Sequence, residues 1–597
     1  MESYVSVRNL NFLLFEVFDV TSIKKFAYYA DYDKDLICMT LAAAKEFSDK
    51  QLFPFADEMD KKKAVMQNGI PHVHPQLKNI IQGLADSGWI AAHSSHTWGG
   101  SQMPLMVLNS ASLIFFAANI NSNYAFLTQG ASNLIYKFGS DTLKNTYIPK
   151  MYDGTWQGTM ALTEPQAGSS LSDITTSAEP TQQEGVYKIL GQKIYISGGD
   201  HDATQNVVHL LLARIKGAPL GVKGISLFVV PKFLPDSHKN NHVTTAGIYG
   251  KMGQKGYVAA HLMYGEQGDC LGYLVGEPHK GLSYMFQMMN EARIGTGIAA
   301  AGLASAAYYS SLKFAHERPQ GRHPQSKNPA DPQVAIIEHA DIKRLLFYQK
   351  SIVEGSIALL TLCSYYADIS NVSDGEEKRK AHLLLELLTP LAKTYPSEMG
   401  NFSTSAAMQI LGGAGYCDDY PIERLYRDIR INAIYEGTTA IHGLDILGRK
   451  IMIEDSAALF YFKDEVVKTI GEAAKINTLK PFAQDLIDEL TEMVKTIDYL
   501  MRLGKAEGAT VMLSNATLFL EYFGVFTIGW MWLKQAVVAE IKLSESAISE
   551  NDKIFYESKL ATNAYYFAYE LPKSFALRKA LVEKSHFLPI IEKGIFV

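Results

Sequence analysis

At 597 residues the chain has room for about four domains or subdomains of roughly 150 residues each. An apolar fraction of 47% and a charged fraction of 20% exclude wholesale disorder. The 56 basic and 62 acidic residues leave a net charge of −6, which gives no general electrostatic footprint for nucleic acid. Cys38, Cys270, Cys363 and Cys417 lie far apart with no Cys-x-x-Cys pair. That spacing argues against a disulfide framework or a structural zinc site and suits a reducing, cytoplasmic compartment.

Leu10 to Val20 is apolar in places but carries Glu16 and Asp19 and is followed by no small-residue cleavage site, so it does not read as a secretion signal. Residues 1–157 read as a helical domain, with helical spacing over Asp35 to Asp57 and over Val107 to Asn121. Turn clusters punctuate it at Asn68-Gly69-Ile70-Pro71 and Trp98-Gly99-Gly100. Over 158–280 the texture changes to short β-branched runs: Val186 to Ser197, Val207 to Ile215 and Gly224 to Pro231. Such runs, broken by Gly, Pro and Asn, predict a compact antiparallel β domain, barrel or sandwich. Long helical periodicity returns over 281–455, in Gly281 to His316 and Pro332 to Tyr366, with a polar insert between them. A further helical domain fills 456–597. Its run Tyr522 to Leu533 is too short for the roughly 20 residues of a membrane crossing and reads as a buried core helix, so no transmembrane span is expected.

Helix, then sheet, then helix is not the alternation of a doubly wound parallel fold. The fold class predicted is therefore α+β. Gly295-Thr296-Gly297 and Gly412-Gly413-Ala414-Gly415 superficially resemble nucleotide fingerprints, but neither follows a strand in a βαβ unit. The first falls inside a helical run, where small residues permit close helix packing. His72-Val73-His74 and His93-Ser94-Ser95-His96 have no acidic or cysteine cluster beside them, so they read as loop histidines and no metal is expected.

Two segments carry chemistry. Ala161 to Ser170 (ALTEPQAGSS) offers hydroxyl and backbone N–H groups at a turn set by Pro165 and Gly168. It suits a ring carbonyl or a diphosphate, and equally an ordinary polar loop. The second is Gln409 to Tyr416 (QILGGAGY) followed by Ile434-Tyr435-Glu436-Gly437-Thr438. Glu436 stands between an aromatic residue and a glycine after an apolar stretch. It reads either as a desolvated carboxylate of raised pKa, a better general base near neutrality, or as a carboxylate stabilised at a helix N-terminus.

Taken together, TEPxAGS in a β region with QILGGxGY and IYEGT in a helical region resembles the acyl-CoA dehydrogenase family. The likeness runs over about residues 35–450, and Lys251 to Gly256, Gly272 to Gly276 and Met288 to Arg293 (MMNEAR) add to it. The longer N-terminus and the C-terminal extension resemble a long bacterial branch that includes 3-methylmercaptopropionyl-CoA dehydrogenases. The resemblance implies an N-terminal helical domain, a central β domain and a four-helix bundle, plus the C-terminal helical extension. It implies FAD as cofactor, between β domain and bundle and partly capped by a neighbouring subunit of a homodimer, and an electron-transferring flavoprotein as partner.

Carried over by motif, Glu436 matches the catalytic base. Leu162, Thr163, Gly168 and Ser169 match positions around the flavin ring, diphosphate and thioester, and Tyr195 and Ser197 match an aromatic and a hydroxyl that flank the flavin. Arg318, Gln320, Gln409 and Gly413 match residues reaching the FAD of the adjacent subunit. Thr438 matches a residue near the diphosphate. Ser169, Arg293 and Gly437 match substrate-side positions. Four positions depart from the family pattern: Ser170 stands for a usual Asp (Asp173 follows), Tyr195 for a frequent Trp, Ala440 for a frequent Gln and Gly321 for a frequent Phe. Ala292 occupies the place where some relatives carry their base, and alanine cannot abstract a proton. The implied reaction is α,β-dehydrogenation of an acyl-CoA to a trans-2-enoyl-CoA. An acyl-CoA oxidase and a non-catalytic scaffold of the same fold are the competing readings.

Overall fold

The computed structural model describes residues 3–326 and 328–583, with Leu588 and Ile595 beyond them. The chain divides into two compact units, one of residues 42–104 and 114–292, the other of residues 1–41, 105–113 and 293–597.

The first unit joins short helices, among them Pro75–Asp86, Asn123–Phe138 and Asp141–Tyr152, to an eight-stranded sheet. The predicted strand Val186–Ser197 has the predicted bounds, and the other two runs form Asn206–Ile215 and Ile225–Pro231. Cys270–Leu274 pairs with both Val186–Ser197 and Ile225–Pro231, which closes part of the sheet into a barrel. Most ladders are antiparallel. Two are not: Asn206–Ile215 runs parallel to Trp156–Ala161 and to Ser177–Pro180. With neighbours on each side, Asn206–Ile215 is buried along nearly its whole length, and its sequence accordingly reads as a continuous apolar run. Leu211, Phe228, Val230, Leu262 and Tyr264 pack together at the centre of the β domain. The predicted turn at Asn68 to Pro71 is narrower than expected: only Asn68-Gly69 turns, and Ile70-Pro71 already belongs to the return strand of a small hairpin.

The region 281–455 holds three long helices, Gly281–Glu317, whose residues from 293 on belong to the second unit, Ala340–Val372 and Gly375–Leu411. The short helices Ile422–Ile429 and Thr439–Gly448 pack on Gly375–Leu411. Gly297 lies within the first long helix, where an added Cβ would run into the Ala392 carbonyl oxygen. Its small size therefore serves close helix packing, whereas an added Cβ at Gly295 would meet nothing within 4 Å, so the expectation holds for one glycine of that run. The extension forms Ile453–Ala473, Lys480–Glu507, Ala516–Leu543, Glu550–Tyr565 and Lys573–Glu583. Ala516–Leu543 contains the apolar run around Trp530 and Trp532, both fully buried. Ala340–Val372 and Ala516–Leu543 have the length and hydropathy to cross a bilayer, yet 89% and 83% of their most apolar windows are buried within the protein.

Lys559 ties the extension to the bundle. Its fully buried ammonium donates to Glu354 at 2.7 Å, to Gln535 at 3.2 Å and to the Asn9 side chain. A buried charge is tolerated only when paired and hydrogen-bonded, and these three acceptors lie on three separate segments.

Candidate active site

The residues around the predicted base assemble within the second unit. Glu436 sits in the turn between Arg430–Ala433 and the helix Thr439–Gly448, with φ +54°, and Gly437 follows at φ +90°. A left-handed non-glycine residue costs on the order of 1–2 kcal/mol and persists only where the surroundings enforce it. Two buried donors contact the carbonyls of this turn. Lys393 Nζ donates to the Gly437 carbonyl at 2.7 Å, and the His442 ring meets the Glu436 carbonyl through Nε2 at 3.2 Å. Burial, with help from the nearby Arg293 and Lys393 charges, pushes His442 down to about 3, so the imidazole is neutral and Nε2–H is the donor. Gly437 is obligatory for a second reason: a Cβ there would lie 2.9 Å from His442 Nε2.

Lys393 owes its place to its helix. Pro390 and Pro396 bracket it in Gly375–Leu411, and each removes a backbone donor from the ladder. The hydroxyls of Thr394 and Ser397 donate to the carbonyls of Pro390 and Lys393 at 2.7 and 2.6 Å, in addition to the helix's own ladder. Burial lowers the Lys393 ammonium to about 8, with Glu398 and Glu436 pulling upward.

Glu436 itself is half-buried, which leaves it partly accessible. The enclosing protein raises its carboxyl above the usual range, while Arg293 and Lys393 pull the other way and do not cancel the effect. A carboxylate governed by a helix dipole would be lowered, so the raised direction agrees with the desolvated reading of Glu436. Thr438 is the N-cap of the following helix but makes no side-chain capping bond.

Arg293 is buried beside this turn. Its Nη1 is 3.8 Å from Asp445 Oδ2, too far for a hydrogen bond, and both Arg293 Nε and Asp445 Oδ2 are buried without a hydrogen-bond partner. Asp445 is held instead by Arg449 at 2.8 Å. Arg318 and Gln320 lie in the exposed turn after Gly281–Glu317, where the His339 ring meets the Gln320 carbonyl at 2.7 Å. Gln409 and Gly413 are exposed at the end of Gly375–Leu411, and an added Cβ at Gly413 would meet nothing within 4 Å. Gly321, at φ +70°, shapes the turn near Gln320.

In the first unit, the remaining predicted residues lie on the loop after Trp156–Ala161 and on the strand Val186–Ser197. Ile194 N–H donates to the Thr163 carbonyl at 2.9 Å, which binds the Leu162 to Ser170 loop to the strand bearing Tyr195 and Ser197. Beneath the loop, Glu164 and Lys193 form an ion pair at 2.8 Å with both side chains fully buried. Glu164 also accepts from the backbone N–H groups of Thr175 and Thr176 at 2.6 and 3.1 Å, and Lys193 donates to the Leu162 carbonyl at 3.0 Å. Burial alone would raise Glu164; Lys193 and these donors hold it well below the usual carboxylate range.

Gly168 and Ser169 stand exposed at the loop tip. The departure at Ser170 is locally repaired, since its hydroxyl donates to Asp173 at 2.5 Å. Tyr195 is 59% exposed with φ +59°, at a register shift in its strand, and its ring meets Tyr249 with centroids 4.3 Å apart. The exposed Tyr195 ring offers a platform to a flat conjugated ring. The Ser197 carbonyl accepts from Thr159 Oγ1 at 2.5 Å.

Sequence reasoning did not single out Lys393, His442, Glu164 or Lys193. Their signal was present: a lysine inside an apolar run between two prolines, and another inside a β-branched strand. Of the histidines read as loop residues, His72 pairs with Asp202 at 2.7 Å and His74 Nε2 lies 3.2 Å from Glu58, acidic neighbours that the sequence did not show. His74 caps Pro75–Asp86 by accepting from Gln76 N–H at 3.1 Å, and His93 and His96 meet the carbonyls of Met103 and Gly100 at 2.9 and 3.0 Å.

Four family models match consecutive stretches: the acyl-CoA dehydrogenase N-terminal domain over residues 37–155, its middle domain over 159–265, its C-terminal domain over 279–452, and an acetyl-CoA dehydrogenase C-terminal-like domain over 457–588. The chain is 32% identical to a 3-methylmercaptopropionyl-CoA dehydrogenase of Ruegeria pomeroyi, covering 93% of this chain and 94% of that one. It is 30% identical to the broad-specificity linear acyl-CoA dehydrogenase FadE5 of Mycobacterium tuberculosis, covering 99% of each. Among solved structures, Caenorhabditis elegans ACDH-11 in complex with C11-CoA shares the fold at TM-score 0.72 and 18% identity, over 96% of this chain and 95% of that one. With the acyl-CoA dehydrogenase fold, the family's domains in order and this likeness over nearly the whole chain, the protein belongs to the acyl-CoA dehydrogenase family of oxidoreductases.

Proposed function

We propose that the protein catalyses FAD-dependent α,β-dehydrogenation of an acyl-CoA thioester, with Glu436 as the base. The observation that carries this reading is a partly accessible carboxylate of raised pKa, held in a left-handed turn by two buried donors. A raised pKa improves proton affinity near neutrality, and a fixed backbone supplies the alignment on which proton abstraction depends.

The exposed groups of the β domain fit the flavin. The Tyr195 ring suits its face, Thr163 and Ser197 suit its polar edge, and Gly168 and Ser169 suit the diphosphate. Arg318, Gln320, Gln409 and Gly413, all exposed, suit the FAD of a neighbouring copy in a homodimer. Bound FAD supplies the hydride acceptor for the β-carbon. The chain's own task is to take the α-proton onto Glu436 and to stabilise charge on the thioester oxygen, for which a backbone N–H such as that of Glu436 is the natural donor. The buried, unpartnered Arg293 Nε is a donor available to the substrate side.

Electrons then pass to an electron-transferring flavoprotein. We assign the protein to the cytoplasm, where the exposed Cys417 thiol stays reduced. Glu436→Gln tests the assignment: flavin should be retained while oxidation of short, medium and long acyl-CoAs with an artificial acceptor is abolished. Full turnover by that variant overturns it. Peroxide formed in air during wild-type turnover would favour the oxidase reading.

A further inference from the structure

The Glu436 turn raises a question that the choice of base does not answer, namely what keeps a non-glycine residue left-handed at the reacting position. Both carbonyls of the turn are gripped by side chains from different helices. Lys393, on Gly375–Leu411, donates to Gly437 at 2.7 Å; His442, on Thr439–Gly448, donates to Glu436 at 3.2 Å. Both residues are fully buried, so neither donor exchanges freely with water.

We infer that Lys393 and His442 are positioning residues that together hold the Glu436-Gly437 turn in its left-handed form and so aim the Glu436 carboxylate. The two differ in charge, and that separates their effects. The charged groups facing Glu436 are Arg293, on Gly281–Glu317, and Lys393; His442 is neutral. Lys393 in turn faces Glu398 and Glu436 as well as Arg293. Lys393 therefore contributes an attraction that favours the ionised base as well as a hydrogen bond, whereas His442 contributes the hydrogen bond alone.

This inference rests on Glu436 being the base, and the test separates the two. Lys393→Met, Lys393→Arg, His442→Ala, His442→Gln and Glu436→Gln are compared with wild type as folded, flavin-loaded protein. Lys393→Met should lower kcat by about 10–100-fold, the scale of a misplaced catalytic group. Its KM should stay within about twofold, because the lost contact is not made to substrate. The acid limb of its rate profile should move up by about one pH unit as an opposite charge is removed.

His442→Ala should lower kcat without moving that limb, and His442→Gln, which retains an N–H donor, should recover most of the loss. Lys393→Arg keeps the charge and should hold the limb in place. Wild-type kcat and an unmoved limb in Lys393→Met overturn the inference. If Glu436→Gln keeps its turnover, or wild type oxidises no acyl-CoA, the proposed function fails instead. A crystal structure of Lys393→Met then decides the inference alone: relaxation of Glu436 out of positive φ supports it, and an unchanged turn overturns it.

Discussion

Gly443 lies directly against the backbone of Ala516, so that an added Cβ would stand 2.8 Å from the Ala516 carbonyl oxygen. Gly443 is on the helix that begins just after Glu436, and Ala516 opens the long buried helix of the C-terminal extension. The extension therefore backs the helix that follows the candidate base.

Gly443→Val should push that helix away from Ala516. Overpacking of this kind costs about 1–3 kcal/mol. Urea unfolding would read the loss, and kcat should fall with it because the helix start moves with the Glu436 turn. Unchanged stability and kcat would show that the contact gives way without consequence.

The pH profile of kcat/KM should have its acid limb set by Glu436. The carboxyl must be ionised to accept a proton, and its folded pKa lies above the ordinary 4.5. Activity should fall about tenfold per unit as pH drops below that raised value. An acid limb at or below 4.5 would contradict the burial seen here.

Glu164→Ala should destabilise the β domain by about 3–5 kcal/mol, because it strands the buried Lys193 charge. Thermal unfolding should show most of this loss recovered in Glu164→Gln combined with Lys193→Met, where a carbonyl still accepts from Thr175 and Thr176. The wild-type pair has a pH signature too. Glu164 is lowered by its partners, so its contribution is complete above the unfolded carboxylate range and is lost as pH falls through its lower folded value.

Lys559→Met leaves Glu354 buried without its closest cation, at a cost of about 3–5 kcal/mol. Lys559 also holds Asn9 and Gln535. Limited proteolysis should then release the extension earlier than in wild type. Equal protease resistance would mean that the aromatic packing around Trp530 and Trp532 suffices.

Tyr195→Ala should weaken flavin retention on gel filtration, and Tyr195→Trp should preserve it, if the exposed ring covers the flavin face. Equal retention by both variants would remove Tyr195 from the cofactor site.

The elements were legible where periodicity was regular. Val186–Ser197 and Gly281–Glu317 follow from β-branched enrichment and helical spacing, which are local signals. The two parallel ladders of Asn206–Ile215 were not legible, because a buried strand reads as the same apolar run whichever way its neighbours point. Glu436 was legible as a candidate through its aromatic and glycine neighbours. The choice between a desolvated base and a helix-stabilised carboxylate was not, since it depends on burial and on charges from distant helices.

Taken alone, the order of residues determined the family and marked Glu436 as a candidate base, because those motifs are contiguous and short-range chemistry is written along the chain. Tertiary structure alone decided that Lys393, 44 residues before Gly437, grips its carbonyl, and that Lys193 sits beneath the Glu164 loop. The physical reason is burial. Removal from water makes a lysine into a fixed donor, and which lysines lose their water is settled only when the helices and strands have packed.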